Sequence, residues 1–260
     1  FFDYGRMAVQ VFLVVAGFLV ARGLAPDGTP AVSHPGLLIW RRYVRLIRPF
    51  LAAMVLAIAC AALARMFMDD DAIPDSPGLW QFLAHGLLLQ GIFDVPSLSV
   101  GIWYVAVDFQ LYALILGLLW LAQRIGNSES AQRTLSVALV AGLGLIALFY
   151  FNLNAALDNW GIYFFGSYAL GALSYWASER GQSHLWLALI LVVGAAALLM
   201  DYRLRIALAL ATAMLLGISR LTGVLERCPD SKWLGYLGRT SYSVFLVHFP
   251  MCLVVNSLFE

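Results

Sequence analysis

The run from Ile47 to Leu63 contains a single charged residue, Arg48, and it is one of nine such apolar runs along the chain. The others are Met7 to Ala21, Leu79 to Phe93, Val100 to Ala122, Leu135 to Phe151, Trp160 to Ala177, Leu185 to Met200, Ile206 to Leu221 and Leu237 to Phe259, the first run extending on to Met68. A helix needs about 20 apolar residues to span a bilayer, because no water is present in lipid to satisfy its backbone groups. Composition agrees, with 62% hydrophobic and 12% charged residues, against about 25% charged in a soluble domain. The expected fold is therefore all-α: a polytopic transmembrane helix bundle of about nine membrane segments. The connections are too short to fold separately, so residues 1–260 read as one membrane-embedded domain whose main partner is the lipid bilayer.

A net charge of +1 offers nothing to a nucleic acid, and no such partner is expected. Cys60, Cys228 and Cys252 are scattered, and His34, His85, His184 and His248 show no ligand spacing, so neither a disulfide framework nor a metal is expected. The chain opens on Phe1 without an initiator methionine and without a cleavable secretory signal. It is read as lacking its natural N-terminus.

Arg41, Arg42, Arg45 and Arg48 form a basic row just ahead of the apolar run. Arg41, Arg45 and Arg48 share one helical face at i, i+4 and i+7. Such a row marks a cytoplasmic boundary under the positive-inside rule, and guanidinium groups also pair bidentately with phosphate. Eight full crossings plus a half-crossing Leu79–Phe93 segment would place Arg124, Arg133, Arg180, Arg220, Arg227 and Lys232 on the same side as the row. The acidic turn Asp69-Asp70-Asp71 and the connection 152–159 would then face outside. Nine full crossings would put the later basic loops outside, and both arrangements stay open.

Few polar residues interrupt the apolar runs. Asp108 shares a helical face with Tyr104 and Tyr112. A carboxylate at mid-helix in a bilayer costs about 2.5–3.5 kcal/mol on insertion scales, so it should face the bundle interior and pair there, either as a structural hub or as a group serving acid–base chemistry. His248 lies on one face with Ser241, Phe245 and Cys252, two residues before Pro250. Either a helix-bridging hydrogen bond or a catalytic role fits it. His85, with Gln81 one turn before it, is the weaker candidate. His34 beside Pro35 stands near the arginine row, and His184 reads as interfacial.

Four stretches carry a resemblance. Tyr4 to Leu19 resembles G-x-x-G-V-x-x-F-F-x-x-S-G-F-L, and Arg41 to Pro49 resembles R-R-x-x-R-x-x-P. Trp103 to Tyr112 resembles W-S-L-x-x-E-x-x-x-Y, and Leu237 to Pro250 resembles L-G-x-x-S-Y-x-x-Y-L-x-H-x-P. In this order, from one end of the chain to the other, they look like the acyltransferase-3 family of integral membrane O-acyltransferases. The sequence departs from the pattern at Ala16, where the family has serine, and at Asp108, where it has glutamate.

The resemblance implies about ten helices and transfer of an acyl group, usually acetyl, from cytoplasmic acyl-CoA to a hydroxyl of a carbohydrate or lipid-linked glycan. A bacterial inner membrane is the expected location. Acyl-CoA is then a donor substrate, with no permanently bound cofactor. It implies that Arg41, Arg42, Arg45 and Arg48 hold the CoA phosphates, that Trp103 and Asp108 line the transfer site, and that His248 is a second-tier member. It also places the family's first helix, with the histidine usually credited with catalysis, ahead of Phe1. Two rivals fit the residues: a transporter in which Asp108 relays protons and the arginines bind an anion, and a non-catalytic partner in glycan assembly.

Overall fold

A computed structural model describes residues 2–66, 76–99, 101–179, 183–227 and 231–256. The acidic turn expected at Asp69-Asp70-Asp71 lies outside the described residues, as do Arg180 and Cys228. Among the described residues the secondary structure is helical: α1 (Phe2–Leu24), α2 (Pro35–Ala64), α3 (Leu79–Gly86), α4 (Ile102–Ile125), α5 (Glu129–Phe149), α6 (Gly161–Ala177), α7 (Leu185–Met200), α8 (Leu204–Leu221), α9 (Val224–Arg227) and α10 (Lys232–Asn256), with two 3₁₀ turns after α5. Each of the nine apolar runs contains one of these helices. Among the described residues five helical segments are long and apolar enough to cross a membrane: Met7–Leu24, Pro35–Ala64, Ile102–Ile125, Glu129–Leu153 and Leu204–Leu221. Leu185–Met200 and Thr240–Asn256 are shorter apolar helices.

The third apolar run does not form a crossing helix. α3 has eight residues, about 12 Å at 1.5 Å per residue, against a hydrocarbon core of about 30 Å. The chain then runs through irregular backbone, with Leu88 and Asp94 at φ 58° and 51°. Such conformations cost on the order of 1–3 kcal/mol each and persist only where surrounding contacts hold them.

Two compact units divide the chain, residues 1–39 with 110–228, and residues 40–109 with 229–260. In the first unit α6 is the central helix, buried along nearly its whole length, as expected of a helix apolar all round. Small residues let its neighbours come close. A Cβ on Gly171 would lie 2.0 Å from the Val14 carbonyl oxygen, and one on Gly17 would lie 2.0 Å from that of Tyr168. Between them these two glycines set the α1–α6 distance, the small-residue packing that substitutes for hydrophobic drive inside lipid. Ser167 donates to Gln10 Oε1 across the same interface at 2.5 Å.

The ends of α5, α6 and α8 are tied by arginine. Arg203, its side chain 9% exposed, donates to Asn152 Oδ1 at 2.5 Å and to the Leu148 carbonyl at 3.3 Å. Leu148 belongs to the last turn of α5, whose carbonyls have no helical partner, so the guanidinium caps it. Asn152 in turn donates to the Tyr163 carbonyl at 3.1 Å, and Arg205 donates to the Tyr163 hydroxyl and lies over its ring. At the other end of α5, Ser128 accepts from the Ala131 amide, a normal N-cap. Arg203→Ala leaves the Asn152 and Leu148 oxygens without this donor, and a loss of about 1–3 kcal/mol is expected. An unchanged melting temperature of the detergent-solubilised variant would show that the cap contributes nothing.

Candidate functional site

The arginine row lies within α2 rather than ahead of the membrane helix. Thirty residues make α2 about 45 Å long, which leaves roughly ten residues more than a bilayer core requires. Pro49 sits inside it, and without an amide hydrogen it leaves the Arg45 carbonyl without its usual i+4 donor. The helix continues because its apolar face packs: Leu46, Ile47, Phe50, Ala53 and Met54 join one buried cluster with Leu88, Leu98, Ile102, Val105, Ala106 and Leu246.

That rotation of α2 splits the row. Arg41, Arg45 and Arg48 are exposed on one side, where they line a groove with Trp40, Val44 and Pro49. Arg42, one residue and so about 100° round from Arg41, turns inward. Its Nη2 meets Asp108 Oδ2 at 2.6 Å, with side chains 24% and 7% exposed respectively. The four arginines therefore do not share one face of α2, and the structure pairs one of them with the carboxylate of α4. The other carboxylate oxygen, Asp108 Oδ1, is buried and takes no hydrogen bond from the described residues.

Tyr104 and Tyr242 lie within electrostatic reach of Asp108 and Arg42. Tyr242 belongs to α10, and its hydroxyl donates to the Leu46 carbonyl of α2 at 3.2 Å. Tyr104 meets Phe245 edge-on at 5.5 Å between centroids. Gly101, at φ 96°, permits this approach, since a Cβ there would stand 3.1 Å from the Phe245 ring. The end of α3 and the segment after it close the surroundings: Tyr43 donates to the Gly86 carbonyl at 2.7 Å. Within this segment Gln90, 2% exposed, has neither amide atom hydrogen bonded to a described residue, and Ser99 Oγ is likewise buried without a partner among the described residues. Irregular backbone at membrane depth is tolerated where it is covered by protein or lines a polar space.

The remaining candidates are placed differently. Trp103 is half-buried at the start of α4. His248 is exposed, and its Nδ1 stands 2.5 Å from the Phe245 carbonyl of its own helix. A carbonyl only accepts, so Nδ1 donates this bond. No hydrogen bond joins His248 to Asp108. His85 is fully buried. Its Nδ1 donates to the Gln81 carbonyl at 2.8 Å, and its Nε2 accepts from the Leu98 amide at 3.3 Å. Nδ1 is thus engaged within α3, and Nε2 holds the irregular segment that follows it. No group of metal-ligating side chains occurs among the described residues. In the first unit an apolar cavity of about 480 Å³ between α5, α6 and α7 has Arg133 at its edge, and Arg133 is paired with Glu179 at 2.6 Å. It holds none of the candidate site residues.

Sequence reasoning missed Tyr43, Tyr242 and Trp40 as parts of this region. Arg42 had a signal, since the spacing that unites Arg41, Arg45 and Arg48 excludes it. Tyr242 had a weaker one, as the tyrosine of the closing motif.

The four motifs fall on α1, α2, α4 and α10. The profile of the acyltransferase-3 family, described as an acyltransferase domain, matches residues 3–260. The chain belongs to this family. Its apolar helices make this acyltransferase-3 chain an integral membrane protein. A Caenorhabditis elegans protein named regulator of hypoxia-inducible factor 1 is 27% identical to it over 107 residues, 41% of this chain and 21% of that relative. The match thus spans about a fifth of the relative's length. No solved structure matches the chain.

Proposed function

We propose that the protein transfers an acyl group, acetyl being the expected one, from cytoplasmic acyl-CoA to a hydroxyl of a carbohydrate or lipid-linked glycan, at a bacterial inner membrane. The observation that carries this reading is the division of labour along α2: three exposed arginines on one side, and one half-buried arginine paired with a buried carboxylate on the other. Exposed guanidiniums suit the phosphates of a soluble donor. A buried carboxylate with one oxygen engaged and the other open suits a reacting hydroxyl.

The chemistry needs little more. The acceptor oxygen attacks the thioester carbonyl, an O–C bond forms, the C–S bond breaks, and the CoA thiolate leaves and takes up a proton. An alcohol is a poor nucleophile until a base draws on its proton. Asp108 Oδ1 can accept that hydroxyl's hydrogen bond, or that of an imidazole which removes the proton, while Arg42 fixes the carboxylate's orientation through Oδ2. Gln90 and Ser99 offer further unmet hydrogen-bonding atoms, suited to a hydroxyl-rich acceptor.

The arginine assignment has a direct test. Arg41→Ala and Arg45→Ala are each expected to weaken acyl-CoA binding by about 10- to 150-fold, the equivalent of one charge-assisted phosphate contact of roughly 1.5–3 kcal/mol, whereas Arg124→Ala leaves it unchanged. Arg42→Ala is expected to lower kcat more than it raises KM, because Arg42 holds Asp108. Equal acyl-CoA affinity in Arg41→Ala, Arg45→Ala and the parent, with all inserted normally, rejects the donor site and reduces the row to a topology signal.

A further inference from the structure

Trp40 is 60% exposed yet is held in place. Its indole stacks on Tyr43, with centroids 5.7 Å apart and the planes at 28°. Tyr43 is itself pinned, by its hydroxyl on the Gly86 carbonyl at 2.7 Å and by its ring against Phe109 at 5.9 Å. The outer indole face is therefore a rigid, open aromatic platform, and it borders the same groove as Arg41, Arg45 and Arg48.

We infer that Trp40 stacks the adenine of the donor, so that the groove reads a phosphorylated adenosine and not phosphate alone. This rests on the acyl-CoA reading above and adds the part of the donor that sets its specificity. Phosphates by themselves require only the guanidiniums. A fixed aromatic face beside a line of positive charge is how a base and its phosphates are recognised together: stacking tolerates any base, and the charges track the phosphates. From Trp40 to Arg48 the groove extends about 12 Å along the helix axis, the scale of an adenosine bearing phosphates on both sides of its ribose. An indole serving only as an interfacial anchor has no need of a backing ring or of three arginines beside it.

The test uses the full chain in lipid nanodiscs with two donors, acetyl-CoA and S-acetylpantetheine, which lacks the adenosine and all phosphates. In Trp40→Ala the ratio of kcat/KM for acetyl-CoA to that for S-acetylpantetheine is expected to fall by about 5- to 150-fold, the range produced by losing one stacked base. Trp40→Phe, which keeps a ring, restores most of it. An unchanged ratio, or an equal loss with both donors, overturns the assignment and leaves an interfacial anchor. Where Trp40→Ala does not insert, adenosine 3′,5′-bisphosphate titrated against the parent and Trp40→Phe decides. Tryptophan quenching that disappears in Trp40→Phe supports stacking, and equal quenching overturns it. Failure of the acyl-CoA reading itself is distinguishable, since Arg41→Ala and Arg45→Ala would then leave the preference for acetyl-CoA untouched whatever Trp40 does.

Discussion

Asp108→Asn is expected to insert and to lose acyl transfer by about 10²- to 10⁴-fold, the range attributed to groups acting in proton transfer. The substitution keeps the shape of the side chain but removes the charge that faces Arg42 at 2.6 Å. Arg42 thereby loses the Asp108 charge, and breaking a fully buried pair costs about 3–5 kcal/mol. Arg42 is 24% exposed, so the loss here should be smaller. Stability and chemistry are therefore separated by the double variant Arg42→Gln/Asp108→Asn, in which neither charge of the pair remains. Thermal stability is expected to recover in the double variant while acyl transfer stays low. Recovery of both would make the pair a structural hub alone, and normal transfer in Asp108→Asn would remove Asp108 from the mechanism. Asp108→Glu, which installs the family's usual acid, should retain more activity than Asn if the carboxylate's charge is what counts.

Gly171→Val should abolish the folded first unit, and Gly171→Ala should already lower its stability by more than about 3 kcal/mol, at or beyond the upper end of ordinary overpacking penalties. The reason is geometric. An added Cβ would stand 2.0 Å from the Val14 carbonyl oxygen, and that oxygen belongs to the backbone of α1 and cannot swing aside. Gly17→Ala should behave alike against the Tyr168 carbonyl. Gly142, in the interior of α5, has nothing within 4 Å of an added Cβ, so Gly142→Ala should be neutral or stabilising by up to about 1 kcal/mol. Monodispersity and thermal unfolding in detergent give the readout. Equal behaviour of Gly171→Ala and Gly142→Ala would show that α1 and α6 do not pack through their glycines.

Much of the fold is legible without coordinates, because spanning helices declare themselves locally: each apolar run from Met7 to Phe259 contains a helix, and the four motifs fall on helices as their spacing implies. The exception is Leu79–Phe93. Its hydropathy suits a segment in the membrane, yet its helix ends at Gly86. Hydropathy does not register that Leu88 and Asp94 adopt left-handed backbone, because that conformation is imposed by contacts: His85 takes the Leu98 amide, and Tyr43 takes the Gly86 carbonyl.

The candidate site divides in the same way. Residue type and helical spacing were enough to mark Arg41, Arg45 and Arg48 as one face and Asp108 as an acid in need of an interior partner, since both follow from the 3.6-residue repeat and from the penalty for charge in lipid. The identity of that partner was not available from spacing. Arg42 lies 66 residues from Asp108, and which arginine turns inward depends on the rotation of α2 about its axis. That rotation is set by the burial of Leu46, Phe50 and Met54 against α3, α4 and α10. A shift of one residue, about 100° of rotation, would carry Arg41 or Tyr43 to the carboxylate instead. The sequence by itself determined a membrane helix bundle of the acyltransferase-3 family with a basic row and a buried acid. Only tertiary packing, which acts between residues remote in the chain, decided that Arg42 belongs with the acid, that the Tyr43 ring behind Trp40 is held by Gly86 and Phe109, and that His85 holds backbone and His248 faces outward.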